Sequence, residues 1–237
     1  MSIRSALAAA HFMSWRDVGL FRKSARTDAA IARLSGRRAF EAAYTDPDPW
    51  ASADPAYRYQ RRKYEVLLSL LPDRPYRAAL DVGCGVGLMS RMLAGRAETV
   101  LGLDVAQRAV DAATAAAAGM PGVRFDQADI LDLPSSLDGQ FDLLVLADTL
   151  YYLRPLDDRL LKHLALRTSR LLVPGGVCLL ANHFFSGADA DSRLSRRIHR
   201  AFGWSPGYTV LSDHRRPFYL ASIMQAETSP YNTEDIG

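Results

Sequence analysis

Between residues 78 and 224 short apolar runs alternate with segments whose apolar positions recur every three to four residues. The runs at 78–82, 99–104, 123–128, 141–147 and 176–181 have strand length and strand composition. They lack strict in–out alternation, as expected of strands covered on both faces. The intervening spacing predicts helices near 87–95, over 106–118 and over 159–170. Strands alternating with helices imply a parallel sheet wound by right-handed crossovers. A helix is also expected over 57–71, basic in its first half, apolar in its second, and ended by Pro72 and Pro75. A basic helix follows over 193–202. The last two runs, 208–212 and 218–224, are joined by residues 213–217. That connection is too short for a parallel crossover, so the two form an antiparallel hairpin.

The ends carry weaker patterns. Residues 1–35 are Ala- and Arg-rich and fit either one or two short helices or a mobile extension, with no chemistry evident. Arg4 followed by an apolar stretch over 5–10 faintly resembles an export signal, but it is short, His11 interrupts it, and no cleavage context follows. Asp46-Pro-Asp-Pro-Trp50 contains two X-Pro pairs that forbid regular helix and give a stiff turn. The turn reads either as a linker whose Trp50 packs on the core or as a flap over a pocket. The last dozen residues look frayed.

Length and composition narrow the picture. The 237 residues, 49% hydrophobic and 23% charged, suit one soluble α/β domain with additions. The net charge of +3 forces no nucleic-acid reading, but its distribution is uneven: residues 1–77 carry net +6, residues 78–190 net −4 and residues 191–237 net +1. No apolar run reaches membrane-span length. Cys84 and Cys178 form no disulfide framework and suit a reducing cytoplasm. Arg61, Arg62 and Lys63, like Arg193, Arg196, Arg197 and Arg200, read most simply as solvated faces.

The chemistry concentrates in Asp81-Val-Gly-Cys-Gly-Val-Gly87, a strand end, a glycine turn and a helix start. Such a unit lets backbone come close to a nucleotide-like ligand. A dinucleotide fingerprint needs a third glycine where Leu88 stands, and Asp81 disfavours a pyrophosphate. No Lys-Ser/Thr follows, so the turn is not a phosphate-binding loop. No cluster of metal-ligand residues is evident.

The same stretch resembles motif I of class I S-adenosylmethionine-dependent methyltransferases. The likeness covers about residues 75–225 and includes Asp104 at the end of strand two, Asp129-Ile130 after strand three, and Val173-Pro-Gly-Gly176 before strand five. It implies a Rossmann-like, doubly wound, seven-stranded and mostly parallel sheet with an antiparallel C-terminal hairpin strand. It also implies that Gly83, Cys84, Gly85 and Gly87 meet the methionine part of S-adenosylmethionine. Asp104 then takes the ribose hydroxyls, Asp129 and Ile130 read the adenine, and Asp81, Val105 and Ala147 are further contacts of the cofactor. The product is S-adenosylhomocysteine.

A narrower resemblance is to the nodulation protein S family of N-methyltransferases. It runs from about residue 39 to 185 through Phe40-Glu, Tyr44, the Pro-rich turn, Tyr59-Gln-Arg-Arg-Lys63 and Tyr151-Tyr-Leu153, with Gln60 and Asp148 where Glu is expected. It favours the flap reading of 46–50 and makes Tyr59 and Arg62 candidates for closing over the methionine end. The expected acceptor is a small molecule, an amine of an amino sugar or oligosaccharide. Alternatives are an O-methyltransferase of another metabolite, an rRNA methyltransferase, or a cofactor-binding protein without turnover. Nucleic acid is disfavoured, because no Pro-Pro-aromatic turn or Pro-Cys nucleophile follows strand four. Asp148, Tyr151 and His183 are the candidate acceptor contacts. Asp148 also reads as the N-cap of the segment after it, and Tyr152 as packing. The expected organisation is an extension over 1–38, a helical and Pro-rich cap over 39–75, the cofactor domain over 76–225 and a tail over 226–237.

Overall fold

A computed structural model describes residues 15–33, 36–153, 155–185 and 187–227. The export-like stretch at 5–10 and the tail beyond 227 lie outside the described residues. The helices are α1 (Trp15–Arg33), α2 (Arg37–Ala43), α3 (Arg58–Ser69), α4 (Leu88–Leu93), α5 (Gln107–Ala116), α6 (Asp158–Leu171) and α7 (Ala190–Gly203). The strands are β1 (Tyr76–Val82), β2 (Ala97–Asp104), β3 (Val123–Gln127), β4 (Phe141–Ala147), β5 (Leu172–Phe184), β6 (Tyr208–Arg216) and β7 (Phe218–Ala226).

The strands form one sheet in the order β3-β2-β1-β4-β5-β7-β6. β1 to β5 pair in parallel, and β7 runs antiparallel to both β5 and β6. Successive strand residues bury against opposite layers. Ala79, Leu143, Val145 and Leu179 pack with Leu67 of α3 and Leu93 of α4. Leu80, Leu144, Leu146 and Leu180 pack with Leu164 of α6 and Phe202 of α7. Both faces are apolar because both are covered, which is why the runs do not alternate.

The hairpin is tighter than expected. Residues 213–216 belong to β6, with Asp213 opposite Ser222 and Arg216 opposite Tyr219, so only Pro217 separates the strands. Polar residues are tolerated in β6 because it is the edge strand, and most of its side chains are half-buried or exposed. The first residues also depart from expectation. α1 is one helix of 19 residues. Its Lys23 reaches the backbone oxygen of Asp48 (2.8 Å) and the Asp46 carboxylate (2.8 Å), and Thr27 Oγ1 donates to Pro49 (2.7 Å). Helix α1 is thus tied to the Pro-rich turn.

Candidate active site

The winding reverses between β1 and β4, and in such sheets the ligand cleft lies beyond the strand ends at that point. The glycine turn follows β1. Gly83 (φ +76°) and Gly85 (φ +54°) adopt left-handed conformations that favour glycine. A Cβ on Gly83 would come within 2.3 Å of Thr149 Oγ1, which donates to Val82 across the β1–β4 gap (2.9 Å). The turn is also tied to β2. The Gly83 and Cys84 N–H groups donate to the Leu103 oxygen, and the Gly85 N–H donates to Asp104 Oδ2 (2.9 Å). The second Asp104 oxygen accepts from the Ala106 N–H (3.0 Å). A carboxylate has about four acceptor sites, so Asp104 keeps capacity for hydroxyl donors. Burial raises its pKa, against the backbone N–H groups that favour the charged form.

A cavity of about 660 Å³ opens above these strand ends. From the expected cofactor set, Gly83, Cys84, Gly85, Asp104 and Val105 line it, and so do Asp129, Ile130, Ala147 and Tyr59. Asp129 lies at the exposed rim, where its Oδ1 caps the 3-10 turn Ile130–Asp132 through the Leu131 N–H (2.9 Å).

Three expected cofactor contacts stand apart from the cavity wall. Asp81 is buried beneath the turn and accepts from Ser90 Oγ (2.6 Å). Burial pushes its carboxyl up to about 7. Gly87 has Phe125 and Ala113 against its Cα, so its missing side chain serves packing between α4 and α5. Arg62 is exposed on α3. The helix turns Tyr59 and Lys63, four residues apart, inward, and this carries positions 61 and 62 to the outer side. Lys63 is therefore no solvated residue: it is 5% exposed and ion-paired to Asp148.

The acceptor candidates do converge. Asp148 follows β4 in a left-handed conformation (φ +57°), held by its N–H to the Ala181 oxygen (2.8 Å). Its Oδ2 meets Lys63, while Oδ1 is buried with no hydrogen-bond partner. It is not an N-cap; that position of the following turn belongs to Thr149. The His183 ring lies 4.1 Å from the Tyr151 ring, and its buried Nε2 also lacks a hydrogen-bond partner, with Asp191 3.9 Å away. Burial holds the Tyr151 and Tyr152 phenols well above the usual range, so they serve as donors.

Sequence reasoning missed part of this wall. Asp28 of α1 lines the cavity and accepts from Tyr152 Oη (2.5 Å) and Trp50 Nε1 (2.8 Å). Trp50 also meets Tyr44 and Phe40, so the Pro-rich turn is a cavity wall. Nothing in the pattern of α1 marks Asp28. Its partners lie 22 and 124 residues away.

The donor set fits a cationic nucleoside. Among the described residues, the side chains Asp28, Asp104, Asp129, Asp148 and Asp191 face the cavity against only Arg37 and Lys63. A sulfonium and an ammonium suit such a field, and a pyrophosphate does not. The glycine turn leaves room for close approach of a ligand, and Asp104 keeps acceptor sites of the kind a diol needs.

Comparison with known proteins agrees. Residues 79–176 match the family described as methyltransferase domain. Trans-aconitate 2-methyltransferase of Deinococcus radiodurans is 42% identical over 122 residues, 49% of this chain and 43% of that protein. Nodulation protein S of Rhizobium tropici is 28% identical over 152 residues, 64% of this chain and 59% of that protein. The chain spans about half the length of the curated relatives it matches. The crystal structure of the N-methyltransferase NodS from Bradyrhizobium japonicum WM9, in complex with S-adenosyl-L-homocysteine, superposes with a TM-score of 0.64 at 21% identity, covering 86% of this chain and 98% of that one. Among the described residues no helix is long and apolar enough to cross a membrane. Residues 79–176 thus match a methyltransferase domain, the fold is the Rossmann-like one of that crystal structure, and part of the chain is similar to nodulation protein S.

Proposed function

We propose that this chain is an S-adenosylmethionine-dependent methyltransferase of the cytoplasm that methylates the amine of a small molecule, an amino sugar or oligosaccharide. One observation carries the reading. A single cavity joins the Asp104-braced glycine turn to the unpartnered Asp148 Oδ1, set among aromatic rings. When bound, S-adenosylmethionine supplies an electrophilic methyl group whose positive charge disperses in the transition state. Gly83, Cys84 and Gly85 would meet its methionine part, Asp104 and Val105 its ribose, and Asp129 and Ile130 its adenine.

The chain's own contribution is positioning and exclusion of water. Asp148 Oδ1 is a buried acceptor that an amine N–H satisfies, which orients the nitrogen lone pair. The ion pair with Lys63 holds the Asp148 carboxylate in place. The His183 Nε2, also unpartnered, is the second polar contact for the acceptor. The amino sugar is supported by the similarity to nodulation protein S and by the rings of Tyr151 and Tyr152, since aromatic faces stack on sugar rings. The similarity to trans-aconitate 2-methyltransferase is higher locally, but carboxylates at Asp28, Asp148 and Asp191 repel an anionic acceptor. The buried free thiols of Cys84 and Cys178 support a reducing compartment.

The test is a turnover panel of chitosan oligomers, small amines, phenols, trans-aconitate and RNA with S-adenosylmethionine. Methylation of the amines is expected. Methylation of RNA or of a carboxylate alone would overturn the acceptor, and absence of S-adenosylhomocysteine binding would overturn the enzyme.

A further inference from the structure

Asp28 has an environment unlike that of the other cavity carboxylates. It projects from α1 into the space between Phe40, Trp50 and Tyr152, all of which line the same cavity. These three rings meet one another. Phe40 stands edge-on to Tyr152 at 5.6 Å, Trp50 lies 5.9 Å from Tyr152, and Phe40 stacks on Trp50 at 6.5 Å. Both of the Asp28 hydrogen bonds, from Tyr152 Oη and Trp50 Nε1, end on Oδ1. Among the described residues Oδ2 takes no hydrogen bond, and it is not among the fully buried orphan atoms.

A carboxylate fixed by two donors on one oxygen, open at the other and walled by aromatic faces is the composition that binds organic cations. The rings present negative quadrupole faces, and the carboxylate supplies the counter-charge. Among the described residues no ion pair ends on Asp28: of the cavity's two cations, Lys63 is paired with Asp148, and Arg37 forms no ion pair with Asp28. Asp28 has been drawn partly out of water, which raises its carboxyl, and its two donors recover only part of that. A ligand cation completes the balance. Neutral sugars and phenols lack the charge, and anions are repelled.

We propose that Asp28, walled by Phe40, Trp50 and Tyr152, is a recognition subsite for an ammonium group of the acceptor other than the nitrogen that Asp148 orients, and that it makes the enzyme selective for ligands carrying a cationic amine over their neutral counterparts. This rests on the methyltransferase reading for the word acceptor and not for the binding itself. The subsite recognises and holds; the transfer step is unaffected by which group donates to Asp28. Its origin in α1 means that selectivity comes from the segment before the methyltransferase domain match begins at residue 79.

The experiment is calorimetric titration with two amines and their neutral counterparts: tyramine against tyrosol, and glucosamine against N-acetylglucosamine. Each is run on the full chain with and without S-adenosylhomocysteine. Asp28→Asn keeps an oxygen for Tyr152 Oη and Trp50 Nε1 and removes only the charge. Wild-type protein is expected to bind at least one amine about tenfold or more tighter than its counterpart, the scale of a charged hydrogen bond. Asp28→Asn is expected to erase that preference while affinity for S-adenosylhomocysteine stays unchanged. Phe40→Leu, which opens one wall of the subsite and leaves both hydrogen bonds to Asp28, is expected to weaken amine binding several-fold and leave the neutral counterparts alone. A preference that survives Asp28→Asn, or wild-type protein that does not prefer either amine, would overturn the proposal. Loss of S-adenosylhomocysteine binding in the wild type would instead sink the methyltransferase reading, because the amine preference is read in its absence as well.

Discussion

Lys63 and Asp148 form an ion pair between helix α3 and the end of β4, with both side chains largely out of water. The pair joins the cap to the strand that carries the acceptor candidates. It also explains why Asp148 holds a left-handed backbone conformation, which costs an ordinary residue about 1–2 kcal/mol. The conformation aims the carboxylate at Lys63, while Oδ1 is buried without a hydrogen-bond partner and the residue lines the cavity.

Asp148→Asn removes the charge and keeps the shape. Turnover is expected to fall about 10²-fold, the low end for a positioned polar group in proton-coupled chemistry. Affinity for S-adenosylhomocysteine, measured by calorimetry, should stay within a few-fold. An equal fall in both would make the residue structural.

Lys63→Met leaves Asp148 buried without its cation, a change expected to cost about 3–5 kcal/mol of stability in urea unfolding. Adding Asp148→Asn should recover more than half of that, because no unpaired charge then remains. Additive losses would show that the two residues are not coupled.

Asp104 braces the glycine turn through the Gly85 and Ala106 N–H groups and retains acceptor capacity toward the cavity. Asp104→Ala is expected to weaken S-adenosylhomocysteine binding about 10–100-fold, the equivalent of a lost hydrogen bond to a charged group. Binding undisturbed by this change would remove the site assignment.

The parallel sheet and the glycine turn after β1 were legible because local chemistry signals them. Apolar runs and the turn at Gly83 and Gly85 are signalled within a few residues of the elements they form. The cap was illegible for the opposite reason. Asp28 matters through Trp50 and Tyr152, and Lys63 through Asp148, 85 residues away. Lys63 sits in a basic run whose neighbours are exposed, so composition hides it; the helical spacing from Tyr59 was the signal available. Asp81 shows a different limit of local reading. Its place in the motif is right, but a strand residue just before the turn points into the layer below, where Ser90 meets it.

Gly83 is held to glycine by Thr149 as well as by its φ. Gly83→Ala places a methyl 2.3 Å from Thr149 Oγ1 and 2.6 Å from its Cγ2. The variant is expected to lose about 2 kcal/mol or more of stability from strain and displacement together. Gly83→Ala with Thr149→Ala removes the obstruction and keeps the strain. It should therefore lose less than the sum of the single changes, as read from a double-mutant cycle in urea.

Asp81 makes stability pH-dependent in a defined direction. Its carboxyl is pushed up to about 7 in the folded chain by burial, whereas an unfolded Asp titrates near about 3.9. Between those values the folded state holds a proton that the unfolded state has lost, so the contribution is fully present below pH ~4 and is lost as pH rises through ~7. His199 acts oppositely. Burial pushes it down to about 4, so it destabilises the fold as pH falls below ~6.5. Asp81→Asn keeps an oxygen for Ser90 Oγ and isolates the Asp81 part, since His199 is common to both proteins. The variant should match the wild type near pH 4 and exceed it at pH 8 by up to roughly 4 kcal/mol, the value of a three-unit shift. Urea unfolding at the two pH values reads the difference. A difference independent of pH would mean that the Asp81 carboxyl ionises in the fold as it does in water, and that its burial under the glycine turn costs nothing.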